Sequence, residues 1–324
     1  SAVKPIEPVF LDYQKDMSQL KAKSDIPVLY KQNVANDLFQ LIYVFDMGNN
    51  HDKALGTAFD YLEYLGTSDM TPEELKSEFY RLACTFYVSP GNERTYVVLS
   101  GLNENMPAAV QLFEKLLADA QVNKEAYTNM TSDILKARSD AKLNQGQNFS
   151  RLMSFAMYGP KSPATNLLTE AELTNMNPQE LVDRIHNQNS YKHRILYYGP
   201  SSSKDLLATI NQYHQVPAAL KDIPAGNEYS YLETPVTKVL VAPYDAKQIY
   251  MAQISNLDKK YDPAIEPIRA LYDEYFGGGM NSIVFQEMRE TRGLAYSAWA
   301  SIMPPSYLKY PYVLRTQIAT QNDK

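Results

Sequence analysis

The chain has 324 residues and a mass of 36.8 kDa, which at ~150 residues per domain predicts about two domains. Hydrophobic residues make up 44% of it, with 25 Tyr and 11 Phe, so it can bury folded cores and a largely disordered chain is excluded. The net charge of -6 and the lack of a long basic run argue against nucleic-acid binding. No apolar stretch approaches the ~20 residues of a membrane span, and the first residues lack a signal-peptide core, so neither is expected.

In chain order, the periodicity of apolar residues predicts strands alternating with helices. The predicted elements are strands at 26–30 and 37–46, helices at 53–65 and 71–83, strands at 85–88 and 94–101, helices at 107–120, 124–143, 150–158 and 177–188, a strand at 193–198 and a helix at 204–213. The second of these helices begins with Thr71-Pro72-Glu73-Glu74, a capping box with proline at the first helical position. Residues 215–235 contain three prolines and little periodicity, which predicts a linker.

The end of the chain repeats the order of its beginning. Predicted strands at 237–241 and 248–254 precede a predicted helix at 264–276. Val28 and Glu63 are 35 residues apart, as are Val239 and Glu274, and the two copies are offset by 211 residues. The repeat predicts a complete domain at 1–214, a linker at 215–235 and a second domain at 236–324. The second copy stops after one more strand pattern at 312–320, so we expect a fragment of a longer polypeptide.

The most informative segment is 275–297, YFGGGMNSIVFQEMRETRGLAYS. Three glycines at 277–279 end one helix, and the apolar residues within 283–288 predict an amphipathic helix whose apolar side chains face inward. Gly293 then caps this helix before a strand that starts near Leu294. The glycines follow a helix instead of opening one after a strand, which argues against a phosphate-binding loop.

Thiol and histidine chemistry have little support. Cys84 lies among apolar residues at a predicted helix end and is interpreted as a small core residue. The four histidines, His51, His186, His193 and His214, include no pair four apart, so no complete zinc site is expected. One cysteine leaves the compartment open.

The segment 275–297 resembles the C-terminal domain signature of the pitrilysin/insulinase family of zinc metallopeptidases, the inverzincins. The 211-residue repeat is similar to the duplicated architecture of that family, over most of residues 24–324. The resemblance implies an α+β fold built of tandem α/β rolls, in which a mostly antiparallel sheet is flanked by helices.

The catalytic helix of this family carries H-x-x-E-H, whose two histidines hold zinc with a distant Glu while the middle Glu activates water. The corresponding positions read Asp60-Tyr61-Leu62-Glu63-Tyr64, which keeps only Glu63. The resemblance therefore implies a degenerate motif without metal in this fragment, with zinc held in a missing N-terminal half. Asp60 and Glu63 could meet a cation on one helical face; the alternative is a structural helix packed through Leu62, Tyr64 and Leu65.

Arg289 and Tyr296, seven residues apart, match the Arg/Tyr pair of the family's C-terminal half, which the resemblance implies reaches the zinc site. A guanidinium can orient a peptide carbonyl or carboxylate, and a phenol can donate a hydrogen bond to an oxyanion, worth up to ~3 kcal/mol. Arg292 competes for the first role. In the structural alternative, Arg289 pairs with surface charge such as Glu290, and Tyr296 packs in the core.

Peptidases of this type also hold extended substrates through the main chain of an edge strand. Residues 97–99 and 312–314 are strands that could present such an edge. The pattern does not distinguish either one from an ordinary core strand.

The resemblance implies the C-terminal, non-zinc-binding half of a zinc-dependent peptidase. This half would supply chamber wall together with substrate and transition-state contacts for peptide-bond hydrolysis. The expected partners are the N-terminal catalytic half, on the same or a partner chain, and peptide substrates. The parent is expected to be a zinc metalloendopeptidase, and the fragment alone to be inactive.

The alternative is a catalytically dead homologue that acts as a peptide-binding or scaffold subunit. An H-x-x-E-H motif upstream of Ser1 would favour the peptidase, and its absence would favour the scaffold. A third class, an unrelated small-molecule α/β enzyme, has no supporting motif. The compartment is not determined, and the bacterial periplasm or cell envelope is a working guess.

Overall fold

The computed structural model describes residue 10 and residues 12–305 and 307–321. The chain forms two compact units, one from Ser1–Asp133 with Leu167–Asn227 and the other from Ile134–Asn166 with Glu228–Lys324. The predicted domains 1–214 and 236–324, with their linker, stay a prediction. Between residues 214 and 247 the chain forms no helix or strand, only an isolated bridge between Tyr191 and Lys221.

Nine strands and eleven α-helices are found in the described ranges. The strands are Ser18–Lys21 (β1), Pro27–Gln32 (β2), Leu38–Phe45 (β3), Cys84–Pro90 (β4), Thr95–Leu102 (β5), Arg194–Gly199 (β6), Gln248–Lys260 (β7), Ala295–Met303 (β8) and Pro311–Gln321 (β9). The helices are Tyr13–Asp16 (α1), Leu55–Leu62 (α2), Pro72–Arg81 (α3), Met106–Asp119 (α4), Lys124–Ala141 (α5), Gln145–Tyr158 (α6), Glu170–Asn175 (α7), Gln179–Asn187 (α8), Ser203–Tyr213 (α9), Glu266–Asp273 (α10) and Ile283–Phe285 (α11). None of these helices is both long enough and apolar enough to cross a bilayer.

The first unit is built on a six-stranded sheet in the order β1-β2-β6-β3-β5-β4. Every neighbouring pair is antiparallel except β2 with β6. The central strand β3 buries Phe39, Leu41 and Tyr43, and the helices pack in pairs, α2 on α8 and α4 on α9. The predicted α+β architecture, a mostly antiparallel sheet flanked by helices, is confirmed.

Local signals in the first unit have the predicted form. The Thr71 hydroxyl accepts a hydrogen bond from the Glu74 amide at 3.2 Å, and the Glu74 carboxylate accepts one from the Thr71 amide at 2.8 Å, so the capping box is present. Cys84 is buried, as predicted, although it begins strand β4 instead of ending a helix. Burial raises the pKa of the Cys84 thiol.

The second unit carries a three-stranded antiparallel sheet in the order β7-β9-β8. The predicted strand at 237–241 is wrong, because these residues form no strand, and Val239 and Val241 are exposed. In the first unit the corresponding strand β2 lies between β1 and β6. The described residues of the second unit contain no strand on which residues 237–241 pair.

Two predicted helices of the second unit are modified by π-helical turns. Helix α10 continues into a π-helical turn at Glu274–Gly278, and α11 continues into another at Gln286–Thr291. None of the four apolar residues predicted to face inward, Ile283, Val284, Phe285 and Met288, is buried, so that prediction is wrong. A π-helical turn has wider spacing than the 3.6 residues of an α-helix, so these residues do not share one buried face.

Neither predicted edge segment lies at an edge. Residues 97–99 belong to β5, which pairs with β3 on one side and β4 on the other. Residues 312–314 belong to β9, which lies between β7 and β8. The terminal strands are β1 and β4 in the first sheet and β7 and β8 in the second.

Candidate functional site

The candidate site of the second unit is formed by the chain from the end of α10 to the start of β8. Asp273, at the end of α10, accepts hydrogen bonds from the Ile302 amide at 2.8 Å and the Ser301 hydroxyl at 2.9 Å. Gly277 is the one of the three glycines that packs against this strand, since a Cβ atom there would lie 2.3 Å from the Ala300 carbonyl oxygen. These contacts hold the helical segment on β8.

The next turn brings Arg289 to the strand. Ser282 caps α11 by accepting a hydrogen bond from the Phe285 amide at 3.3 Å. Arg289 lies on the π-helical turn that follows, and Gly293, with a φ of +56°, reverses the chain into β8. A φ of this sign is favourable for glycine and strained for other residues.

Arg289 and Tyr296 are in contact, as the family's pair would require. The Arg289 guanidinium carbon lies 5.3 Å from the centre of the Tyr296 ring and 4.9 Å from the centre of the Phe285 ring. Both distances are within the range of cation–π interactions. The Arg289 Nε atom is also 3.4 Å from a carboxylate oxygen of Glu290, an exposed pair of small energetic effect.

Tyr296 lies on a β-bulge. Ala295 pairs with Thr320 and Ser297 with Ala319, so Tyr296 is an extra residue of β8 that has no partner on β9. A bulge of this kind redirects a side chain and is frequent beside functional sites. The Tyr296 side chain is 75% exposed, so its predicted alternative role as a core residue is wrong.

Arg292 is arranged differently from Arg289. Its Nε atom lies 3.5 Å from a Glu287 carboxylate oxygen, and no cation–π contact joins it to a ring of the described residues. The structure therefore brings Arg289, and not Arg292, to Tyr296.

The degenerate zinc-motif positions lie at the end of α2 in the first unit. Asp60, Glu63 and Tyr64 are exposed, and the Tyr64 amide donates to the Tyr61 carbonyl at 3.0 Å, which closes the helix with a tight last turn. Tyr61 is completely buried, and its hydroxyl donates to the Asn123 carbonyl at 2.6 Å and accepts from the Asn123 amide at 2.9 Å. The helix is therefore anchored in the core through Tyr61.

These positions do not fit a zinc ion. Partial burial and, to a lesser extent, the Glu63 carboxylate raise the pKa of Asp60 above its usual value, which makes it a weaker cation ligand than an ordinary aspartate. Tyr64 stands where the motif needs an imidazole, and a neutral phenol is a poor zinc ligand. No group of three or more His, Cys, Asp or Glu side chains suited to a metal ion is found among the described residues.

A groove of about 410 Å³ lies beside the same helix end, between α3 and the edge strand β4. Its wall is mainly apolar, with Glu63 and Lys76 among its polar residues. Phe86 and Val88 of β4 point into it and are partly exposed. The groove thus combines an apolar surface with a strand whose outer side is unpaired within the described residues. Sequence reasoning placed the edge elsewhere.

Comparison with known proteins places the chain among peptidases. No family model matches it. It is 20% identical over 263 residues to an uncharacterised zinc protease of Rickettsia felis, an alignment covering 77% of this chain and 60% of that protein. The chain therefore spans less than two thirds of the length of this relative.

Solved structures show the same fold. A peptidase M16 inactive domain from Pseudomonas fluorescens is 17% identical with a TM-score of 0.72, covering 94% of this chain and 74% of that one. The periplasmic protease PqqL of Escherichia coli is 14% identical with a TM-score of 0.77, covering 95% of this chain and 34% of that one. The alignment with a zinc protease and the fold of an M16 inactive domain confirm the resemblance: the chain is of the pitrilysin/insulinase type and corresponds to its half without the zinc motif.

Proposed function

We propose that this chain is the C-terminal, non-catalytic half of a zinc-dependent peptidase, in which it supplies part of the chamber wall and contacts to the peptide substrate. The observation that supports this role is the Arg289–Tyr296 contact, in which a cation and an exposed phenol lie together on a bulged strand. The lost zinc motif agrees with it, because the positions at the end of α2 do not fit the metal. Zinc would be held by the N-terminal half.

In the proposed role the two side chains act on different parts of the substrate. The Arg289 guanidinium, oriented by the aromatic rings of Phe285 and Tyr296, would hold a peptide carbonyl or carboxylate. The Tyr296 hydroxyl, which has no hydrogen-bond partner among the described residues, would donate to the oxyanion of the tetrahedral intermediate. Arg292 has no role in this proposal.

Reconstitution tests the proposed function. The zinc-motif half, from the same polypeptide or from a separate chain, would be combined with this chain and assayed on a set of quenched fluorescent peptides. We expect hydrolysis only when both halves are present, and none with this chain alone. A zinc half that cleaves the peptides equally well without this chain would contradict the proposal.

The second candidate is a catalytically dead homologue that binds peptides or scaffolds an assembly. The groove at the open edge of β4 favours it, since an extended peptide can add a strand to an exposed edge and place side chains in adjoining pockets. Peptide binding without hydrolysis in any combination of chains, together with no H-x-x-E-H upstream of Ser1, would support this candidate over the peptidase. A periplasmic or cell-envelope location belongs to either proposal, because PqqL, which shares the fold, is periplasmic.

A further inference from the structure

A row of hydrogen-bonded polar side chains lies inside the first unit, where the proposed function gives them no role. Glu114 of α4 is 1% exposed, His214 after α9 is 0% exposed, and His193 before β6 is 7% exposed. A Glu114 carboxylate oxygen is 2.6 Å from His214 Nδ1, and His214 Nε2 is 2.8 Å from His193 Nε2. His193 Nδ1 is 2.7 Å from the carbonyl oxygen of Tyr191. We name these three side chains the Glu–His–His row.

The surroundings of Glu114 show that it is ionised. Its other carboxylate oxygen accepts hydrogen bonds from the Asn189 side-chain amide at 2.9 Å and the Gln215 backbone amide at 3.0 Å. The Tyr43 hydroxyl is also hydrogen-bonded to it, and burial, followed by the charge of Glu114, raises the pKa of Tyr43 well above its usual value. Tyr43 therefore keeps its proton and donates it. A carboxyl group whose neighbours are all donors has no acceptor for a proton of its own.

The carbonyl at the other end sets the direction of every proton in the row. A carbonyl oxygen only accepts, so the Nδ1 atom of His193 donates to Tyr191. Burial, and then the charge of His214, lower the pKa of His193 to about 4, so at neutral pH it carries this one proton and its Nε2 atom accepts. His214 must then donate from Nε2 to His193 and from Nδ1 to Glu114.

We propose that His214 is a buried imidazolium held between Glu114 and His193, and that the first unit loses stability when a rise in pH removes this proton. A neutral His214 has one N–H group for two acceptors. Either the buried Glu114 carboxylate loses a donor, or two nitrogen lone pairs face each other at 2.8 Å. Both outcomes loosen the end of α9 and the start of β6.

The sign of the effect follows from proton counting. A histidine in the unfolded chain releases its proton near pH 6.5, whereas the folded unit holds it at His214. Above that pH the folded state therefore binds one proton more than the unfolded state, and stability decreases as pH rises. While the folded state keeps the proton, the equilibrium constant for unfolding increases about tenfold per pH unit.

Other titratable groups near the row behave differently. Tyr43 of β3 stays protonated, as argued above. His186 of α8 lines the same cavity of about 300 Å³ as Glu114, but its Nε2 atom lies 3.1 Å from the Ala120 carbonyl oxygen, outside the row. The neighbouring ion pairs are Lys115 with Asp69, Lys192 with Asp222 and Arg194 with Asp46. Ordinary side chains of these types keep their charge between pH 6 and 8.5. His186 is thus the matched control for His214.

Hydrogen exchange of the whole chain, followed by mass spectrometry from pH 6 to 8.5 and corrected for the intrinsic chemical rate, tests the proposal. Peptides from α9 and β6 should lose protection up to about tenfold per pH unit above pH 6.5. His214→Gln should remove this dependence, and His186→Gln should keep it. Peptides from β9, in the other unit, serve as an internal control and should not change. A flat pH profile in the unsubstituted protein, or an unchanged slope in His214→Gln, would overturn the proposal.

A second measurement needs no folded variant of His214. In the unsubstituted protein labelled with 15N-histidine, NMR at pH 7.5 should show one imidazole that carries protons on both nitrogens. The spectrum of His186→Gln identifies the signals of that residue. If all four imidazoles carry a single proton at pH 7.5, the proposal is wrong whatever the exchange data show.

Discussion

The guanidinium of Arg289 lies over the ring of Tyr296, 5.3 Å from its centre, and joins a π-helical turn to a bulged strand. Both elements are irregular: a π-helical turn widens the helix, and a bulge leaves one residue of the strand unpaired. Such irregularities persist only where the surrounding structure supports them, and they are frequent at functional sites. The contact between the two side chains is the feature on which the proposed function depends.

Removing the Tyr296 hydroxyl should reduce catalysis in the reconstituted peptidase. For Tyr296→Phe we expect kcat to fall roughly 100-fold, the scale for loss of one oxyanion donor, with KM little changed. Because this side chain is 75% exposed, unfolding should change by less than about 1 kcal/mol. Steady-state kinetics and urea unfolding measure the two effects.

Tyr312→Phe is the matched control. Tyr312 is buried on β9 and donates its hydroxyl to Glu266 at 2.6 Å, so its loss should cost about 1–3 kcal/mol of stability with kcat unaffected. An unchanged kcat in Tyr296→Phe would leave this tyrosine without a role in the chemistry.

The two arginines should behave differently. Arg289→Ala should raise KM for peptides about tenfold or more, since a hydrogen bond to a charged group contributes about 1.5–3 kcal/mol, while kcat changes less. Arg292→Ala removes the same charge from a side chain that does not contact Tyr296, and KM should stay within about twofold. The opposite ranking of the two variants would assign substrate binding to Arg292.

The chain as purified, without its N-terminal half, should not retain zinc. Asp60, Glu63 and Tyr64 do not provide the imidazole ligands that a zinc site of this family uses. Elemental analysis after dialysis against metal-free buffer should give well below one zinc per chain. One zinc per chain that disappears in Glu63→Ala would show that the degenerate motif still binds metal.

Helix α2 should be structural. Tyr61→Phe removes a buried hydroxyl that makes two hydrogen bonds to the backbone of Asn123, and should destabilise the first unit by about 1–3 kcal/mol. Tyr64→Phe, three residues on and 47% exposed, should change stability by less than about 0.5 kcal/mol. Circular dichroism during urea unfolding can compare the two. Equal effects would argue against the anchoring role of Tyr61.

Part of this structure could be predicted from sequence because its causes are local. The capping box at Thr71 depends on residues three apart, and the order of strands and helices in the first unit depends on apolar periodicity within each segment. The loss of the zinc ligands at Asp60 and Tyr64 is visible in the residue types themselves. The Arg289 and Tyr296 candidates came from a motif, and the structure brings them together.

The rest was decided by tertiary structure, because it depends on pairing partners far away in the chain. Whether a strand is at an edge depends on its neighbours in the sheet, so 97–99 and 312–314 had the pattern of edge candidates but lie inside their sheets. The bulge that exposes Tyr296 arises from its register with β9, and no feature of the residues around it indicates one. His193 and His214, 21 residues apart, meet at 2.8 Å only because β6 and α9 pack beside α4, and the charge of the buried Glu114 then determines which of their nitrogens carry protons.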